Sequence, residues 1–188
     1  AAPGGAVGDG ACRAAVVAGA GGGPLGHGRS QDLGRPHVVP CANGTDAHQL
    51  ALLSLNLPAG AEIIVPAFTY VATLEAAAVL GLRPVPADVL PDTFNLDPKA
   101  VLAAITPRTR AIIVVHLGGL PANMDAIMAI ARMHNLTVIE DAAHAHAAIY
   151  KTRPVGGLGH LGSFSFQSPK NLTSREGGIL PPNDPALA

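Results

Sequence analysis

Residues 138–170 read VIEDAAHAHAAIYKTRPVGGLGHLGSFSFQSPK, and this stretch decides the fold. An apolar strand ends in Glu140 and Asp141. A polar turn then carries His144 and His146, and a second short strand over 163–166 delivers Lys170 into a loop. Apolar strands without polar alternation belong to a sheet covered on both faces. In such sheets ligands bind at the carboxyl ends of the strands. A carboxylate and a lysine at two such ends therefore mark a site.

Working outward, strands and helices alternate. HVVPC (37–41) is a strand and CANGTD (41–46) a tight turn, followed by the helical AHQLALLSLNL (47–57). EIIVP (62–66), RPVPAD (83–88), AIIVVH (111–116) and TVIED (137–141) are strands, and GGILP (177–181) closes the series. Between them AFTYVATLEAAAVLG (67–81), FNLDPKAVLAAITPRT (94–109) and MDAIMAIARMHNL (124–136) have helical spacing. Asp97 with Pro98 opens one helix and Asn123 caps another. The alternation predicts an α/β fold of three layers, a mostly parallel sheet with helices on both faces. Residues 1–35, dense in Gly and Ala, form a poorly defined segment, and 36–188 form the domain. The run GAGGGPLGHG (19–28) lies ahead of the first strand and has no GxxxxGK[ST], and no GxGxxG follows that strand, which argues against a nicotinamide-binding domain.

The 188 residues suffice for one sizeable domain, and 48% are hydrophobic. Lys and Arg number 12 against 13 Asp and Glu, which argues against a nucleic-acid or anionic-membrane surface as the main business of the chain. Cys12 and Cys41 read as ordinary thiols of a reducing compartment, and no signal peptide or membrane span is evident. A cytoplasmic protein is expected. The missing initiator Met and the stop soon after GGILPP read as processing or, in preference, as a fragment.

Several groups at strand ends can carry chemistry. Lys170, in a charge-poor loop just past a buried strand, is either a solvated surface lysine or an amine that can become a nucleophile for Schiff-base formation. Asp141 is either a turn or N-cap carboxylate or the partner of a ring nitrogen. Glu140, by strand alternation, points the other way and serves structure. His144, His146, His116 and Asp141 permit a metal reading, but the spacing is unspecific and no metal is assigned. His144 is better read as the neighbour of a bound ring. Gly44 and Thr45 in Asn43-Gly44-Thr45-Asp46 are either an ordinary capped helix start or a phosphate cradle of backbone amides. Ser165 donates to the same phosphate or satisfies its neighbours, and Tyr70 stacks on a planar ligand or fills the core.

The motifs NGTDAHQLAL, GAEIIVPAFTYVAT, DTFNLDPKAVLAAITPRTRAIIVVHLGGLPANMDAI, VIEDAAHAHAA and FSFQSPKNLTSREGG occur in this order. Together they resemble the front half of the DegT/DnrJ/EryC1/StrS aminotransferases, from about residue 36 to 188. The resemblance implies the large domain of a fold-type-I enzyme dependent on pyridoxal 5'-phosphate (PLP), with the C-terminal small domain absent from this chain. It implies transfer of an amino group from glutamate or glutamine to a keto-sugar, often nucleotide-linked, or to a keto-cyclitol. It further implies Lys170 as the residue joined to the cofactor and as proton shuttle, Asp141 at the pyridine nitrogen, and His144 beside the ring hydroxyl. Tyr70 would stack on the ring, and Gly44, Thr45 and Ser165 would hold the phosphate. A homodimer with shared active sites follows from the same resemblance. Ala61, Ala147 and Arg175 stand where relatives commonly carry Asp, Gly and Gly. Retention of the lysine argues against the sugar dehydratases of this scaffold, which replace it with histidine. The alternative is an inactive fragment or regulatory pseudo-enzyme that binds cofactor or a partner without catalysis.

Overall fold

A computed structural model describes residues 38–168, 170–173 and 176–182, and among these described residues nine strands and four α-helices follow one another. The strands are β1 (Val39–Cys41), β2 (Glu62–Pro66), β3 (Arg83–Ala87), β4 (Thr109–Val115), β5 (Thr137–Asp141), β6 (Ile149–Tyr150), β7 (Arg153–Pro154), β8 (Leu161–Ser165) and β9 (Gly178–Leu180). The helices are α1 (Gly44–Ser54), α2 (Ala72–Ala78), α3 (Pro98–Ala104) and α4 (Met124–His134). Seven strands form one sheet in the order β1-β9-β8-β5-β4-β2-β3, while β6 and β7 make a small separate hairpin. Pairings from β3 across to β8 are parallel, and β9 runs antiparallel to both β8 and β1.

Period-2 geometry divides each central strand between two cores. Ile63 and Val65 of β2, Ile113 of β4 and Ile139 of β5 pack with Ala51 and Leu52 of α1 and Ala76 of α2. Ile64, Ile112, Val114 and Val138 face the other way, onto Val101 of α3 and Met124 and Ile127 of α4. This is why β2 and β4 read as unbroken apolar runs, and it gives the three layers that the alternation predicts. Among the described residues no helix is long and apolar enough to cross a membrane.

Three differences from the sequence reading bear on the site. Helix α1 starts at Gly44, because the extended Asn43 (φ −161°) caps it by accepting from the Asp46 amide at 2.9 Å. Gly44 and Thr45 are thus the first helical residues and not part of a turn before the helix. Helix α2 begins only at Ala72, leaving Ala67–Tyr70 as a loop beyond β2. The strand before Lys170 runs Leu161–Ser165, its register fixed by β5, which pairs Asp141 with Ser163. The caps Asp97 and Asn123 both accept first-turn amides as read, at 2.9 and 3.2 Å. Ala147 has φ +62°, a left-handed conformation that costs an L-residue about 1–2 kcal/mol and that glycine adopts freely. Residues 1–35 and Arg175 lie outside the described residues.

Candidate active site

Asp141 is the last residue of β5, buried at the carboxyl end of the sheet. Its Oδ2 accepts from the Thr73 hydroxyl at 3.2 Å and lies 3.3 Å from His48 Nε2, and its Oδ1 accepts from the Ala143 amide at 3.1 Å. Thr73 in turn lies 3.1 Å from the hydroxyl of Thr69, one helical turn before it. Because Thr73 spends its proton on Asp141, it accepts from Thr69, so the hydroxyls form a relay ending on the carboxylate.

Glu140, one residue earlier, faces the opposite side. Its carboxylate accepts from the amides of Gly156, Leu158 and Gly159 at 2.8, 2.6 and 2.6 Å and from His116 Nε2 at 3.0 Å. His116 Nδ1 accepts from the Ala122 amide at 3.1 Å, so the ring proton sits on Nε2. This nest anchors the loop between β5 and β8, the structural role that alternation predicts for Glu140.

Lys170 reaches back from the loop after β8, and its Nζ lies 3.1 Å from His144 Nε2. The Asn171 side chain donates to the His144 carbonyl at 3.3 Å, tying the lysine loop to the histidine turn. Burial and then the positive charge of Lys170 hold the His144 pKa below its ordinary value, against an opposite pull from Asp141. A neutral imidazole is thereby favoured, and its Nε2 accepts a hydrogen bond from the ammonium group. His144 therefore feels both Lys170 and Asp141. His146 goes elsewhere: it packs between Phe164 and Phe166 with Nε2 at 2.7 Å from the Ser165 carbonyl. The histidines that a metal reading would gather have separate partners.

Among the described residues Asn43 takes the Asp46 and Ala47 amides at the start of α1, which leaves those of Gly44 and Thr45 for an outside acceptor. A Cβ on Gly44 would stand 2.8 Å from Ser165 Cβ. Only glycine lets the helix start approach the end of β8 this closely. Gly44, Thr45, Asp141, His144, Ser165 and Lys170 line one cavity of about 330 Å³, and Tyr70 stands with them. Tyr70 is 72% exposed, so the core reading of this ring does not hold. The cavity also takes in His48, Thr73 and Ser163, which the sequence reading missed. Two of the three carry a local signal: His48 is one helical turn beyond Gly44, and Ser163 shares a strand face with Ser165.

A family model described as the DegT/DnrJ/EryC1/StrS aminotransferase family matches residues 30–188. The chain belongs to this family. It is 46% identical over 155 residues to GDP-perosamine synthase of Caulobacter vibrioides, covering 82% of this chain and 42% of that protein. It is 48% identical over 152 residues to L-glutamine:2-deoxy-scyllo-inosose aminotransferase of Micromonospora echinospora, covering 81% of this chain and 36% of that one. Among solved structures, an aminotransferase from Psychrobacter cryohalolentis aligns with a TM-score of 0.85 at 40% identity, over 87% of this chain and 42% of its own. NtdA from Bacillus subtilis, solved with bound PMP, aligns at 0.81 and 33%, over 87% of this chain and 37% of its own. The chain thus spans well under half the length of these relatives, and its fold is the large domain of this aminotransferase family.

Proposed function

We propose that this chain is the cofactor-binding part of a PLP-dependent aminotransferase, one that moves an amino group from glutamate or glutamine to a keto-sugar, often nucleotide-linked, or to a keto-cyclitol. The observation that carries the reading is the convergence of Lys170, His144, Asp141 and the Gly44–Ser165 cradle on one cavity. These residues fit the cofactor by donor chemistry: an amine for its carbonyl carbon, a carboxylate for its ring nitrogen, and amides with a hydroxyl for its phosphate. The substrate classes follow those named in the relatives, one a GDP-sugar enzyme and one a glutamine-dependent cyclitol enzyme. Residues 36–188 would be the large domain of a cytoplasmic homodimer with shared active sites, one that uses neither nucleic acid nor membrane.

Bound there, PLP supplies an electron sink that stabilises negative charge on the substrate carbon. The chain supplies orientation and proton movement. Lys170 Nζ is the nucleophile and, once free, the base that takes a proton from the substrate carbon and returns it. His144 Nε2, 3.1 Å away, accepts one N–H of that amine and fixes its direction. The fixed carboxylate of Asp141 would face the ring nitrogen and favour its protonated form. The Gly44 and Thr45 amides and the Ser165 hydroxyl would hold the phosphate, and Tyr70 at the rim would stack on the ring.

Borohydride reduction in the presence of PLP, followed by peptide mapping, tests the reading. A phosphopyridoxyl group on Lys170 is expected; no adduct there would overturn it. Assays of the full-length protein with a panel of nucleotide-linked keto-sugars and keto-cyclitols then identify the acceptor.

A further inference from the structure

His48 sits on the buried face of α1, one turn from Gly44 and beside Ala47, Ala51 and Leu52. An aliphatic residue would serve packing there, yet an imidazole only 4% exposed occupies the position. Among the described residues its buried Nδ1 has no hydrogen-bond partner, a state that carries a desolvation cost. Its other nitrogen accounts for its presence. Nε2 lies 2.9 Å from the Ser163 hydroxyl and 3.3 Å from Asp141 Oδ2. The Ser163 hydroxyl spends its proton on the Glu140 carbonyl at 3.2 Å, so toward His48 it accepts. The ring proton is therefore on Nε2, shared between Ser163 and Asp141.

From this geometry, and resting on the cofactor reading of the cavity, we infer that His48 is a positioning residue that holds Asp141 for the ring nitrogen. Oδ2 of Asp141 is tied by both Thr73 and His48, and Oδ1 by the Ala143 amide, so three donors from three segments fix the plane of the carboxylate. A donor on Oδ2 also draws charge from the carboxylate, which keeps the proton on the ring nitrogen and off Asp141. Ser163 competes for that donor and sets how much of it Asp141 receives.

The test uses full-length protein loaded with PLP labelled with ¹⁵N in the ring, reading the nitrogen's chemical shift and the half-saturating PLP concentration. His48→Leu, which keeps the volume and removes the donor, is expected to move the signal toward neutral pyridine. It should weaken PLP about tenfold, the effect of losing one hydrogen bond to a charged group. His48→Gln, whose side-chain amide restores a donor, should return both readouts toward wild type. Ser163→Ala leaves Asp141 as the acceptor for that donor and should move the signal, if at all, the other way. A wild-type signal in His48→Leu overturns the inference, and so does His48→Gln displaced as far as His48→Leu. If His48→Leu does not fold, Ser163→Ala decides, and a shift toward neutral pyridine overturns the inference. If wild-type protein takes no PLP on Lys170, the underlying functional reading fails; if it does and the His48 variants match it, only the role of His48 fails.

Discussion

Glu140 and Asp141 are the same functional group on consecutive residues of one strand, and their surroundings assign them opposite tasks. Glu140 is fully buried and accepts from three amides and an imidazole, which leaves it no task beyond holding a loop. Asp141 is held as firmly, but it lines an open cavity shared with Lys170 and His144. A buried carboxylate is thus not in itself the mark of a site. What distinguishes the two is whether the accepting capacity is used up inside the protein.

The strongest way to break this comparison is to delete each carboxylate. Glu140→Ala orphans four buried donors and should lower the unfolding free energy by about 3–5 kcal/mol in urea titrations. Asp141→Asn should cost roughly 1–2 kcal/mol of stability, yet slow amine transfer about a hundredfold or more in single-turnover assays. If the two variants exchanged these profiles, the division of labour would be wrong. Gly44→Ala sharpens the phosphate side of the cavity. Its methyl group must displace Ser165, so a loss of about 1–3 kcal/mol in thermal unfolding is expected, with weaker PLP binding.

The smallest effect is a titration. Because burial and Lys170 lower the His144 pKa, the unfolded chain takes up a proton that the native ring refuses. As pH falls below the ordinary histidine value, His144 therefore subtracts stability, and the loss levels off once the native ring is protonated. By NMR, Lys170→Met should raise the His144 midpoint part of the way, since burial remains, and Asp141→Asn should lower it further.

Local patterns exposed much of this in the sequence. The apolar runs of β2 and β4 announce a sheet covered twice, and Asp97 and Asn123 announce their helices. The seven candidate residues stand around one cavity because strand ends and a helix start are features a local reading can place. The start of α1 was misplaced because Asn43, inside an apparent turn, acts as the cap. Local spacing sets His48 one turn past Gly44 and Ser163 on the face of Ser165, but the partners that give these two and Thr73 their meaning lie 68 and 115 residues away in the chain. No periodicity encodes such distances. Ala147 is the reverse case: the position where the family resemblance leads one to expect glycine proves to have a left-handed backbone.

The register that sets Asp141 beside Ser163 has a consequence for how the molecule forms. Asp141 collects donors from α1 and α2, both early in the chain, while β8, which comes after it, completes the surroundings. Contacts this far apart in sequence bear the greatest loop-closure cost and form late. Helices and single strand pairs can arise with the cavity still in pieces. A ligand that requires Asp141, His48 and Ser163 together is therefore a clock for the last event of folding, and its uptake after dilution from denaturant would trail the recovery of helical signal.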